Sequence, residues 1–369
     1  MAIAASTPAE ATRLWLPYPE ALPVRRSDVT AGVRLLLPGS PGGVLAKFGE
    51  PAGRAELRKQ LAAHPQEPGP CGPVRHGPAE QPGGRCHTRR PPGHQAQAEQ
   101  QEHDRYFEVG RSGGDAAQGF AAGLALAYLA AYENCLSMGV TLLDDQEWRQ
   151  LFGGLTLLLK IAGRAAARGD AGAGTAALPA RPEPAGWRDG YDPGQRWLVG
   201  HQLFFALIQG AVVGLNCFTR AAADQATPEA DEGLALAAAF LRSSAAAMKF
   251  ASDFAPDDYE ATVRPAMAPP RVREGFSGLQ TRDHAYLVRV FGAVKPALAA
   301  LDGQAGAHQE FVESVVAAYA AHEFICARFR GSVLPSLRMA AASRGKAGRT
   351  GVDVIREMMR ARLALVSRP

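Results

Sequence analysis

The sequence predicts an all-α protein, a helical bundle preceded by Pro/Gly-rich N-terminal segments. Three observations carry that expectation. From residue 115 onward, Ala- and Leu-rich stretches repeat their apolar positions at helical spacing, no stretch alternates with the period of two that a half-buried strand shows, and Gly/Pro-rich linkers separate the stretches. Apolar residues make up 47% of the 369 residues and charged residues 21%, a balance that builds a core and excludes a disordered chain.

In chain order, residues 1–50 read as an extended, turn-rich arm, because Pro17, Pro19, Pro23, Pro38 and Pro41 are too frequent for a long helix. Residues 65–114 are rich in Pro, Gly, Gln, His and Arg and cannot form a core by themselves. Together these stretches make an N-terminal arm and loop region over 1–114, read as a mobile loop over its second half. Cys71, His76, Cys86 and His87 fall in it with a spacing that matches no zinc knuckle, and its composition accounts for them. The helical domain, 115–369, should contain helices at 115–138, 145–168, 194–224, 230–253, 282–301, 307–330 and 351–366, with sites beside the linkers.

Lys and Arg number 40 against 36 Asp and Glu and are scattered, so nucleic acid is not an expected partner. The first 15 residues carry Glu10 where a signal peptide is apolar, and the longest apolar stretch, 121–139, is broken by Glu133 and Asn134. No export signal or membrane span is expected. Five cysteines, irregularly spaced and odd in number, argue against a disulfide framework and for a reducing cytoplasm.

No Walker loop, dinucleotide fingerprint, HExxH or GxSxG occurs, so the histidines carry the chemical reading. In HQEFVESVVAAYAAHEFICARFR, Phe311, Val315, Tyr319, His322, Cys326 and Phe329 form one stripe, with Glu310, Glu313 and Arg328 behind it. His322 and Cys326 therefore point inward, one turn apart, with Cβ atoms ~5–6 Å from each other. An imidazole there can ligate the iron of a macrocycle while the thiol reaches its rim; a core histidine beside a small buried cysteine is the alternative. In LQTRDHAYLVRVFG, Thr281 is a candidate N-cap and Asp283 suits the positive helix end, which puts His284 in the first turn. A surface histidine is the alternative for His284. Arg282 and Arg271 are candidates for holding a carboxylate, or for solvated surface charge. His201 in RWLVGHQLFFALIQG is a core histidine or, with Trp197, Phe204, Phe205 and Phe218, part of an aromatic pocket, with Tyr191, Asp192 and Arg196 at its rim.

GFSGLQTRDHAYLVRVFG resembles the GFQSxQxR…LLG segment of tryptophan 2,3-dioxygenases, and RFRGSVLPSLRMAAASRGKAGRTG resembles their RFRH…GTGG ending. Both point to the haem-dependent aromatic oxygenase superfamily, which is all-helical. Where the dioxygenases place their iron-binding histidine, after RFR, this chain has Gly331. A branch of that superfamily, the 3-methyl-L-tyrosine hydroxylases of saframycin-type antibiotic biosynthesis, instead carries a histidine, a long spacer and HxxxC, the pattern of His284 and His322 to Cys326. That resemblance implies haem with His322 and His284 on the iron, a single thioether from Cys326, and hydrogen peroxide as oxidant. It also implies a free aromatic amino acid, 3-methyl-L-tyrosine, as substrate and 3-hydroxy-5-methyl-L-tyrosine as product. His201 stands where the dioxygenases have the pocket histidine of HQxxELW, so His201 and His284 are the catalytic candidates, and Arg282, His201 and Phe205 the substrate-binding ones. A dioxygenase that opens an indole or pyrrole ring, a bis-histidine electron-transfer or sensor protein, and a helical protein without cofactor are the competing readings.

Overall fold

The computed structural model describes residues 13–62, 94–164, 178–183, 191–274, 276, 281–301, 305–329 and 350–367. The four residues around Cys71 to His87 singled out above lie outside them, as does most of the RFR ending.

The first described segment departs from the expected extended arm. After strand β1 (Leu14–Pro17) come three helices, α1 (Arg26–Leu36), α2 (Pro41–Gly49) and α3 (Pro51–Ala62). The prolines start helices instead of preventing them. Pro41 and Pro51 each occupy a first helical position, where the missing N–H leaves nothing unsatisfied, and the Ser40 hydroxyl accepts from the Gly43 N–H at 3.1 Å. Val29, Val33, Val44, Leu45, Phe48 and Leu57 from this segment are buried in the same core as the helices that follow. Helix α4 (His94–Tyr106) leads to strand β2 (Val109–Ser112), which pairs parallel with β1 from Leu14 opposite Val109 to Pro17 opposite Ser112.

The remainder matches the helical expectation closely: α5 (Ala116–Met138), α6 (Asp145–Leu151), α7 (Gly153–Arg164), α8 (Pro193–Ala223), α9 (Thr227–Ala251), α10 (Arg282–Ala299), α11 (Ala305–Arg328) and α12 (Gly351–Val366). The expected helix over 145–168 is split at Phe152. The cause lies in Gly154, whose N–H donates to the Ser243 hydroxyl at 3.0 Å and whose missing side chain leaves room for the Phe240 ring, so the start of α7 presses directly on α9.

Helices α8 and α9 form the central pair. They approach so closely that a Cβ added at Gly214 would lie 2.5 Å from the Ala237 nitrogen, and one at Gly233 would lie 2.6 Å from the Phe218 nitrogen. Among the described residues these helices, and not 121–139, are long and apolar enough to cross a membrane, yet 89% and 72% of their apolar windows are buried inside the fold. Helices α5 and α10 pack on α8, α11 packs on α9, and α12 covers α10 and α11.

Candidate active site

A cavity, partly open, lies between α8, α9, α10 and α11. Each helix contributes apolar wall, among them Phe204, Leu241, Met248 and Leu287, and two imidazoles border it: His284 from α10 and His322 from α11. The structure thus brings together two of the histidines singled out in the sequence, 38 positions apart, on one largely apolar space.

The two are held differently. His322 sits in the last third of α11, six residues before its end, on the stripe whose members Phe311, Val315, Tyr319 and Phe329 are buried. Burial pushes its imidazole down to about 4, and the neighbouring His284 and His201 rings add to the effect. At neutral pH it is therefore uncharged, the form that ligates a metal. His284 is buried in the first turn of α10, where the Thr281 hydroxyl accepts from its backbone N–H at 3.4 Å, the cap expected from the sequence. The preceding residue, Asp283, is fully buried and paired with Arg111 of β2.

His201 belongs to an aromatic group beside His322. Its Nδ1 lies 2.8 Å from the Trp197 carbonyl oxygen, an acceptor, so Nδ1 carries the proton and Nε2 keeps its lone pair. Phe107 stacks on its ring with centroids 4.6 Å apart, and Phe205 meets it edge-on at 6.0 Å. Burial pushes this imidazole also down to about 4, so it is a neutral hydrogen-bond acceptor at physiological pH. Tyr106, Phe276 and Tyr259 extend the group around Phe107 and Trp197. The contributions of α4 and Phe107 came from a region that read as loop, and no local signal in its polar composition marked them.

Other candidates fall elsewhere. Cys326 is half-buried one turn beyond His322, outside the cavity lining; burial pushes its thiol up to about 11, with Glu323 adding to the shift. Among the described residues Cys135, Cys217 and Cys326 are free thiols. The cavity is lined by Phe204, while Phe205 faces His201 and Phe107. Arg282 is not among the lining residues: its guanidinium lies over the Tyr18 ring at 4.9 Å and 3.9 Å from the Glu20 carboxylate. Arg271 is exposed. The expected pocket-rim residues are structural: Asp192 caps α8, Tyr191 donates to Asp258, and buried Arg196 faces Asp253 at 3.7 Å. Arg328 turns from the back of α11 to donate to the Phe254 carbonyl at 2.8 Å.

The family of the SfmD 3-methyl-L-tyrosine peroxygenase matches residues 15–308, which include His201 and His284 and end before His322. The chain belongs to that family. It is accordingly an enzyme, a peroxygenase that uses peroxide. It is 28% identical over 354 residues to the 3-methyl-L-tyrosine peroxygenase of Streptomyces lavendulae, covering 94% of this chain and 88% of that protein. Among solved structures, reduced SfmD, obtained by soaking crystals with sodium hydrosulfite, is similar with a TM-score of 0.59 at 26% identity, over 84% of this chain and 96% of that one. Membership in this family of helical enzymes agrees with the all-α architecture and with the superfamily resemblance drawn from the sequence.

Proposed function

We propose that the protein is a haem peroxygenase that hydroxylates 3-methyl-L-tyrosine beside its phenol, giving 3-hydroxy-5-methyl-L-tyrosine. The observation that carries this reading is the convergence of His284 and His322 on one apolar cavity in a chain of the peroxygenase family. Two imidazoles, from two of the helices that line a mostly apolar space, suit a flat, hydrophobic iron macrocycle, so the residues present fit haem. His322 would be the permanent ligand, with Cys326 one turn away tethering the ring through a thioether to a vinyl group. His284 would be the ligand that gives way to peroxide. When bound, haem supplies the oxidising chemistry, and the overall reaction consumes one hydrogen peroxide and one aromatic C–H and yields the new C–OH and water.

The chain's own groups do the rest. The neutral Nε2 of His201 would accept a hydrogen bond from the substrate phenol and so orient the ring, while Phe205, Phe107 and Trp197 hold the imidazole in place. The apolar wall excludes water from the reacting carbon.

The test is to load the protein with haem, supply 3-methyl-L-tyrosine and hydrogen peroxide, and identify the product by mass spectrometry. A catechol product dependent on peroxide is expected. A ring-opened product would move the protein to the dioxygenase reading, and absence of any visible haem band after loading would remove the cofactor. Denaturing mass spectrometry of the same sample should show haem attached to the peptide that contains Cys326, and none attached in Cys326→Ala.

A further inference from the structure

A buried polar cluster beside the cavity takes no part in the chemistry above. At its centre Arg111, at the heart of the short parallel sheet, places all five guanidinium donors. Nε and Nη2 donate to the two Asp104 oxygens at 3.0 and 2.5 Å, Nη2 and Nη1 donate to the two Asp283 oxygens at 2.7 and 3.1 Å, and Nη1 also donates to the Pro17 carbonyl at 3.4 Å. Gln209 of α8 adds its amide, which donates to Asp283 Oδ1 and to the same Pro17 carbonyl, each at 2.8 Å. Arg111 thus joins β1, β2, α4 and the first turn of α10, and Gln209 ties α8 to the same cluster.

The location is the informative part. Asp283 is 0% exposed and sits at the positive end of α10, where a carboxylate is favoured, and the next residue is His284. A helix start frays more readily than a helix interior, because its first N–H groups lack helical partners. His322, six residues inside the end of α11 and on its buried apolar stripe, is held by packing. His284 is anchored instead through a planar guanidinium that fixes two carboxylates at once, a geometry that lysine cannot reproduce.

The geometry points to Arg111 as a positioning residue for His284: its double fork clamps the first turn of α10 to the sheet and α4, with Gln209 adding α8, and so sets how firmly the His284 ring is presented to the cavity. This rests on the reading of His284 as an iron ligand. Loosening the clamp leaves His322 in place and makes His284 the more easily displaced partner.

The test compares haem-loaded wild type, Asp283→Asn, Arg111→Lys and, as a reference, His284→Ala. The low-spin fraction is read by optical and electron paramagnetic resonance spectroscopy, and the rate of cyanide binding to the ferric protein is measured. Both clamp variants are expected to retain haem, to move part of the way towards the His284→Ala spectrum, and to bind cyanide about tenfold faster, the size that fits weakening one charge-assisted fork. If Arg111→Lys does not fold, Asp104→Asn, which weakens the fork to the less buried carboxylate, is read in its place. A wild-type spectrum and cyanide rate together with a lowered melting temperature would overturn the positioning role and leave the cluster purely structural. A His284→Ala spectrum identical to wild type would overturn the ligand assignment itself, a result distinguishable from the first.

Discussion

The cavity's two histidines sit in opposite kinds of structure. His322 belongs to a 24-residue helix packed against α9 and α12, and its orientation follows from an apolar stripe that repeats through most of α11. His284 stands at the start of an 18-residue helix, and its orientation follows from a side-chain cap and a buried ion cluster contributed by segments far away in sequence. Apolar packing spreads its stabilisation over many contacts, whereas the polar anchoring of His284 concentrates it in a few bonds with strict geometry. On the proposed reading, this difference suits His322 to the role of permanent ligand and His284 to that of the releasable one.

The comparison breaks most visibly if the histidines are interchangeable. His322→Ala should lose haem on gel filtration and lower peroxide-dependent hydroxylation by at least about a hundredfold, while His284→Ala keeps haem and changes its spin state. Equal loss of haem in the two variants would erase the distinction.

A smaller effect tests the neutral histidine beside the pair. Since the folded pKa of His201 is lowered to about 4 from an unfolded value near 6.5, the unfolded chain binds the proton first as the pH falls. The stability linked to this group is whole above pH 6.5 and declines through the window down to about 4, by up to roughly 3 kcal/mol. Melting temperatures of the cofactor-free protein should accordingly fall more steeply with acid in wild type than in His201→Gln; parallel curves would show that the imidazole is not held neutral.

Next in size, Gly233→Ala should destabilise the α8–α9 contact by about 1–3 kcal/mol in denaturant titration. It should leave the haem spectrum unchanged, which separates loss of packing from loss of anchoring. Thr281→Ala should have the smallest effect, about 1 kcal/mol from the lost cap. Its signature should be a larger high-spin fraction, because the cap acts on the His284 turn; a change confined to stability would assign the anchoring to Asp283 alone.

Much of this site was legible before any coordinates. The stripe through Phe311, Val315, Tyr319 and His322 is a local repeat, and the Thr281 cap with His284 three residues on is a local signature, so both survived folding as read. The N-terminal helices were not legible, since a proline that opens a helix and one that forbids it look alike until the cap at Ser40 and the buried face of α2 are seen. Arg282 misled for a related reason: in the first turn of α10, adjacent side chains point in different directions, and Arg282 turns to Glu20 and Tyr18 while His284 faces the cavity.

The sequence by itself determined the helical class, the extent of the helices from 115 onward, and the inward side of α11, because helical periodicity is written in neighbours three and four residues apart. Tertiary structure alone decided which helices enclose the cavity, that His201 joins Phe107 of the segment after α4, and that Arg111 grips an aspartate 172 positions away. Those pairings depend on how helices and strands meet in space, and a charge or an aromatic ring carries no mark in the chain that names its distant partner.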